Sequence, residues 1–136
     1  MSNRVNDIAR LIEQKAAARP DFPALTFVHV EPDGRLSDER RNFAELWDRG
    51  RRLALWLQQQ GVAPGDSVVL MLKNRPQFVE AMVAAALTGS IFVPLDTRSM
   101  GEKLANMTNH VAATAIIAEG AALPALDAVA EQLATR

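Results

Sequence analysis

Asp66-Ser67-Val68-Val69-Leu70-Met71-Leu72, then Lys73-Asn74-Arg75, then the run Pro76 to Thr88, then Gly89 and Ser90-Ile91-Phe92-Val93-Pro94-Leu95-Asp96: this stretch decides the fold. The first segment is short, apolar and β-branched at its centre, and it follows Pro64-Gly65, as befits a buried parallel strand. Lys73 to Pro76 stops it. In the run that follows only Gln77, Glu80 and Thr88 are polar, the pattern of a helix covered on most sides. Gly89 ends that helix and a second strand returns. A strand, a crossover of this length and another strand imply a parallel sheet with a right-handed connection. Ligands of such sheets sit beyond the carboxyl ends of the strands. Those ends carry no nucleophile, metal cluster or glycine-rich phosphate loop here.

Working toward the N-terminus, Phe43, Leu46, Trp47, Gly50, Leu53, Ala54 and Leu57 recur at helical spacing, an apolar stripe that docks on a sheet. Asn42 caps this helix, Glu45 completes a capping box, and Gly61 closes it at C′. Gly50 costs about 1 kcal/mol relative to Ala, which close approach of a neighbouring backbone would explain. Leu25 to Val30 and Leu36 to Asn42, around Pro32-Asp33-Gly34, read as an antiparallel hairpin whose polar second strand suits a sheet edge. A first helix runs from a cap at Asn6 or Asp7 to about Arg19, with Ile8, Leu11, Ile12 and Ala16 on its inner stripe. Toward the C-terminus, Ser99 to Asn109 reads as a helix with Met100, Leu104 and Met107 inward. Thr114 to Ala118 is a strand, and Leu123 to about Thr135 is a last helix. In the central helix Phe78, Met82, Val83 and Leu87 are expected against the sheet, and Asn74 is expected to cap it because arginine caps poorly. The fold class is α/β: a mostly parallel sheet with covering helices and an N-terminal antiparallel hairpin, a single domain over residues 1–136.

A net charge of −1 removes any general electrostatic reason to bind nucleic acid. Arg40, Arg41, Arg49, Arg51 and Arg52 interleave with Glu39, Glu45 and Asp48, a solvated, salt-bridged face. With no cysteine, disulfides and thiolate chemistry are excluded. The longest apolar stretch, Ala81 to Leu87, is too short to span a bilayer, and Met1 to Asp7 contains no signal-peptide core, so no membrane insertion and a cytoplasmic location are expected.

The residues yield no catalytic, cofactor-binding or metal site. His29 and His110 are lone histidines without a second ligand at metal spacing. Asp96 follows a strand end but reads as the cap of the next turn. Lys73-Asn74-Arg75 also follows a strand end, yet lacks the glycines that let backbone approach a phosphate. Asp33, Glu39, Glu45 and Asp48 do not pair as acid and base. Trp47 belongs to the docking stripe; Trp56 and Leu55 mark either a contact surface or ordinary partial exposure.

The order Ala24-Leu25-Thr26, Phe43-Ala44-Glu45-Leu46, Gly61-Val62-Ala63-Pro64-Gly65-Asp66-Ser67-Val68, Asn74-Arg75-Pro76-Gln77-Phe78 and Thr88-Gly89-Ser90-Ile91-Phe92-Val93-Pro94-Leu95-Asp96 resembles the N-terminal part of the adenylate-forming enzymes. These include acyl-CoA synthetases, luciferases and the adenylation domains of peptide synthetases. The resemblance covers roughly Ile8 to Ala118. It implies a partial acyl-CoA synthetase-like N-terminal subdomain from a ligase, AMP-forming, that uses ATP, magnesium and coenzyme A. In that family the chemistry rests on a Ser/Thr/Gly-rich loop ending in Pro-Lys, a Tyr-Gly-x-Thr-Glu segment, a ribose-holding Asp and a C-terminal lysine. None of these occurs here, and the chain has no tyrosine. The resemblance therefore implies a scaffold segment, not catalytic by itself, whose partners are the remainder of the parent ligase and a second copy in a homodimer. The alternative is a stand-alone non-catalytic α/β module that binds a partner protein or small ligand.

Overall fold

Val68, Val69, Leu70 and Met71 are all but sealed from solvent, with exposures of 0–1%. They belong to β3 (Ser67–Met71), the middle strand of a three-stranded parallel sheet of order β4-β3-β5. The computed structural model describes residues 7–134. The elements around β3 are α1 (Asp7–Ala18), β1 (Pro23–Val30), β2 (Leu36–Asn42), α2 (Phe43–Gln59), α3 (Pro76–Thr88), β4 (Ile91–Pro94), α4 (Gly101–His110), β5 (Ala113–Ala118) and α5 (Leu123–Asp127).

Alternation along β3 splits the core in two, since successive side chains leave opposite faces. Val68 and Leu70 pack with Ala54 and Leu57 of α2 and with Ala81 and Ala84 of α3 on what we call the front face. Val69 and Met71 pack with Leu104 and Ala105 of α4, and with Ala122 and Val129, on the back. The strand–helix–strand reading of 66–96 therefore holds.

The ends of α2 are fixed by local chemistry. Asn42 Oδ1 accepts from Glu45 N at 2.8 Å, and Glu45 Oε2 accepts from Asn42 N at 3.0 Å, a complete capping box. At the other end Gly61, at φ 88°, donates to Gln58 O while Val62 donates to Leu57 O. This is the Schellman arrangement, and its apolar partners Leu57 and Val62 both enter the front core.

Gly50 faces α3. A Cβ there would lie 2.5 Å from Val83 Cγ1 and 2.8 Å from Val83 Cβ, with Glu80 O at 3.7 Å. The close neighbour is thus a side chain rather than the backbone expected from sequence. Gly50→Leu should destabilise by about 1–3 kcal/mol through overpacking, and adding Val83→Ala should recover part of the loss. Equal urea midpoints for the single variant and the parent protein would show that α2 and α3 can separate freely.

Several elements depart from the sequence reading. The hairpin β1–β2 forms its own two-stranded sheet and does not edge the parallel one. On α1, Ala9 is buried while Ile8 and Leu11 stand 64% and 53% exposed, so the inner stripe is narrower than its apolar residues suggest. The expected cap at Asn6 lies outside the described residues. Arg75, not Asn74, is the N-cap of α3, at φ −155° and ψ 163°. The reason is Pro76: a residue before proline is pushed to extended backbone, and proline at N1 has no N–H to satisfy. Of the four residues expected beneath α3, Val83 is buried but against α2. Phe78 and Leu87 are half-buried at the front core, and Met82 joins neither cluster. Met100 is 67% exposed at the N-cap of α4. The last helix is only Leu123–Asp127, between short 3-10 turns at Gly120–Ala122 and Ala130–Gln132, and Thr135 lies outside the described residues.

Candidate functional site

After β3 the chain passes to α3 on the front face; after the adjacent β5 it passes to residues of the back core. Two neighbouring parallel strands whose continuations leave to opposite faces create a crevice at their carboxyl ends, the position where open α/β sheets take ligands. A cleft of about 860 Å³ lies there. Leu72 and Arg75 line it from the end of β3, Ile117, Ala118 and Glu119 from the end of β5, and Arg49 and Arg52 from α2.

Two buried carboxylates organise its walls. Glu80, one turn into α3, accepts from Arg41 Nε at 3.0 Å, with both side chains 9% exposed. Arg41 also donates through Nη2 to Glu39 Oε1 at 2.6 Å and through Nη1 to Arg40 O at 2.9 Å, and Arg49 Nε stands 3.9 Å from Glu80. Burial acts to lower the Arg41 pKa, but the hydrogen bonds to Glu80 and Glu39 outweigh it and hold the guanidinium above its ordinary value. Arg41 is therefore no member of a solvated face; it ties the hairpin to α3. Arg40 with Asp38 (3.1 Å) and Arg52 with Asp48 (2.9 Å) do keep to the surface.

The second carboxylate is Glu119, whose side chain is 7% exposed. Its Oε2 accepts from Lys73 N at 3.3 Å and stands 3.6 Å from Arg75 Nε; Lys73 Nζ stands 3.7 Å from Oε1. Lys73 and Arg75, the cations of the β3–α3 loop, thus converge on a protein carboxylate. The cleft as a whole sets the guanidiniums of Arg49, Arg52 and Arg75 among Glu45, Asp48, Glu80 and Glu119. That balance does not fit a polyphosphate, and α3 begins on Pro76, which removes one of the N–H groups an anion would use. Among the described residues no group of three His, Asp or Glu is placed to hold a metal ion.

The other sequence candidates lie apart from the cleft. Asp96 Oδ1 accepts from Arg98 N at 2.9 Å, and its carboxylate takes Arg98 Nε and Nη2 at 3.1 and 2.8 Å, so it caps a turn. Those side-chain bonds, then the backbone one, lower its pKa from 3.8 to about 2. A depressed carboxylate supports its turn above its ordinary pKa and loses that support as pH falls through the folded value. The Asp96 carboxyl resonance should accordingly titrate near pH 2 with the Arg98 amide following it. Titration near pH 4 would mean the turn is open in solution.

His29 Nε2 lies 3.0 Å from Glu39 Oε2 across the hairpin, and Asp33 binds Arg35 at 2.6 Å. Hydrogen bonds from Arg41 and then His29 lower the Glu39 pKa. His110 is exposed at the end of α4. Trp47 is half-buried, whereas Leu55 and Trp56 are 56% and 47% exposed. Sequence reasoning missed the Arg41–Glu80 and Glu119 pairings. The available signal was Glu80 itself: one carboxylate inside a covered apolar helix demands a cation.

Residues 12–136 match the family described as AMP-binding enzyme. The chain is 27% identical over 128 residues to long-chain-fatty-acid–CoA ligase FadD13 of Mycobacterium tuberculosis strain H37Rv, covering 94% of this chain and 24% of that protein. It is 36% identical over 80 residues to nonribosomal peptide synthetase nanA of Aspergillus nanangensis, covering 59% of this chain and 3% of that one. The inhibitor-bound N-terminal domain of FACL13 from Mycobacterium tuberculosis superposes with a TM-score of 0.77 at 25% identity, covering 94% of this chain and 32% of that one. The α/β architecture is thus that of acyl-CoA synthetase N-terminal domains, and the chain spans about a quarter of the CoA ligase it matches. No described helix is long and apolar enough to cross a membrane.

Proposed function

The chain belongs to the AMP-binding enzyme family, and from that premise we propose that it is a scaffold segment of an ATP-dependent acyl-CoA synthetase-like ligase, not catalytic by itself. The parent would convert a carboxylate to an acyl-adenylate with ATP and magnesium, then to a thioester with coenzyme A. The proposed location is the cytoplasm. The observation that carries the reading is the state of the strand-end loop: Lys73 and Arg75 are directed at Glu119 rather than arranged around a phosphate. In this role β3 and its helices form a rigid platform against which the catalytic subdomains pack. Its partners are the remainder of the ligase and, for the isolated chain, a second copy joined as a homodimer.

The isolated chain should release no pyrophosphate above background when given ATP, magnesium and a panel of carboxylic acids. Release that is saturable in ATP would overturn the reading. The crevice between β3 and β5 favours a second reading, a stand-alone module taking a small ligand there. A coding sequence that runs past Arg136 into a glycine-rich loop ending in Pro-Lys supports the first reading. A stop at that point supports the second.

A further inference from the structure

The two strands of the hairpin present unlike outer edges. Glu31 N donates to Arg35 O at 2.8 Å, which fixes the parity of β1. Backbone groups alternate in direction along a strand, so Phe27 and His29 turn theirs toward β2 while Thr26, Val28 and Val30 turn theirs away. By the same register Leu36, Asp38 and Arg40 form the outer edge of β2.

The β2 edge is guarded. Asp38 and Arg40 occupy its outward positions, paired at 3.1 Å, and charged side chains along an edge deter pairing with another chain. β1 carries no such guard. From Ala24 to Val30 it holds no proline and no Asp, Glu, Lys or Arg. Val28 and Val30, both β-branched, are 57% and 73% exposed. Among the described residues no backbone group bonds the outward amides of Thr26, Val28 and Val30. Nor is the space beside them filled: a cavity of about 490 Å³ opens along Leu25 to His29, with Asn74 and Val79 across it.

The strand is complementary to itself. Set antiparallel to a second β1 across a two-fold axis at Val28, it places Val28 opposite its own copy, Thr26 opposite Val30, Phe27 opposite His29 and Leu25 opposite Glu31. Each outward N–H then finds an outward C=O, β-branched side chains pair across the seam, and no two like charges meet. The charged β2 edges end on the two outer sides, so the assembly closes at two copies.

We propose that the outer edge of β1 is the seam of an isologous dimer of this chain, which joins two hairpins into one continuous antiparallel sheet of order β2-β1-β1-β2. The proposal locates the homodimer given above for the isolated chain and rests on that reading.

Analytical ultracentrifugation of residues 1–136 over a wide concentration range, with hydrogen exchange at both ends of that range, tests it. The Thr26, Val28 and Val30 amides should exchange more slowly as concentration rises, whereas those of Asp38 and Arg40 should not change. Val28→Lys sets two like charges face to face at the axis and should weaken the dimer by about tenfold or more. Val28→Pro removes only an outward N–H and should weaken it likewise. Leu36→Lys, on the same face but at the guarded edge, should leave the dissociation constant unchanged. A chain that stays monomeric throughout overturns the proposal and the homodimer reading together. A dimer whose β1 amides ignore concentration, or one that Leu36→Lys weakens as much as Val28→Lys does, overturns the β1 seam alone.

Discussion

Glu80→Ala should cost about 3–5 kcal/mol of folding free energy, because it leaves the buried Arg41 guanidinium without its closest buried carboxylate. The loss has two parts. The guanidinium stays desolvated while Glu39 and the Arg40 carbonyl satisfy only its other nitrogens. The hairpin is also released from α3, so protease sensitivity should rise between Val30 and Leu36. Replacing both partners with apolar residues, Arg41→Met with Glu80→Leu, should recover most of the stability, since a buried pair is often matched by a hydrophobic one of similar volume. Urea denaturation of the three variants measures this. A single-variant loss below about 1 kcal/mol would mean that Arg41 swings into water and that the hairpin is held by other contacts.

Leu57→Ala should cost about 2–5 kcal/mol through lost transfer energy and a residual cavity. Leu57 has 0% exposure, sits under the end of α2 and meets Val62 across the Schellman turn, so no neighbour can readily move in. Met82→Ala makes the comparison useful. The sequence places Met82 in the same kind of apolar helix face, but it is half-buried and outside both clusters. Its truncation should cost nearer to 1 kcal/mol. A larger loss at Met82 than at Leu57 would reverse the assignment of the front core.

The contrast between these two residues shows where the sequence is readable. Capping boxes, C′ glycines and a strand bounded by Pro-Gly act within a few residues of themselves, and Asn42, Gly61 and β3 fall where local chemistry puts them. Met82 and Ile8 fail as core residues because an apolar residue is buried only if a neighbour arrives to cover it. That neighbour is chosen by tertiary packing: α2 crosses α3 at Gly50 and spends its contact on Val83. The cap of α3 departs from side-chain capping preference because Pro76 acts on the backbone of Arg75. At the cleft the pairings join residues 39 and 46 positions apart, Arg41 to Glu80 and Lys73 to Glu119. No local pattern marks such pairs. Only the topology that brings β3 beside β5 does so, and it is the same topology that makes the crevice.

The central place of β3 also bears on synthesis. Emerging from a ribosome, Val68-Val69-Leu70-Met71-Leu72 waits for β4 about twenty residues later and for β5 about forty-five residues later before either flank is paired. During that interval it is a short, apolar, β-prone, proline-free and uncharged segment, the profile of a sequence that seeds intermolecular aggregation. Asp66 on one side and Lys73 on the other place a charge at each end of the vulnerable window, in the manner of gatekeepers. In the finished fold these two residues perform ordinary local duties, Asp66 accepting from Ala63 N and Lys73 resting near Glu119. If they act as gatekeepers, neutralising both should depress the yield of nascent protein more than the stability of the folded chain, read by soluble yield against urea midpoint.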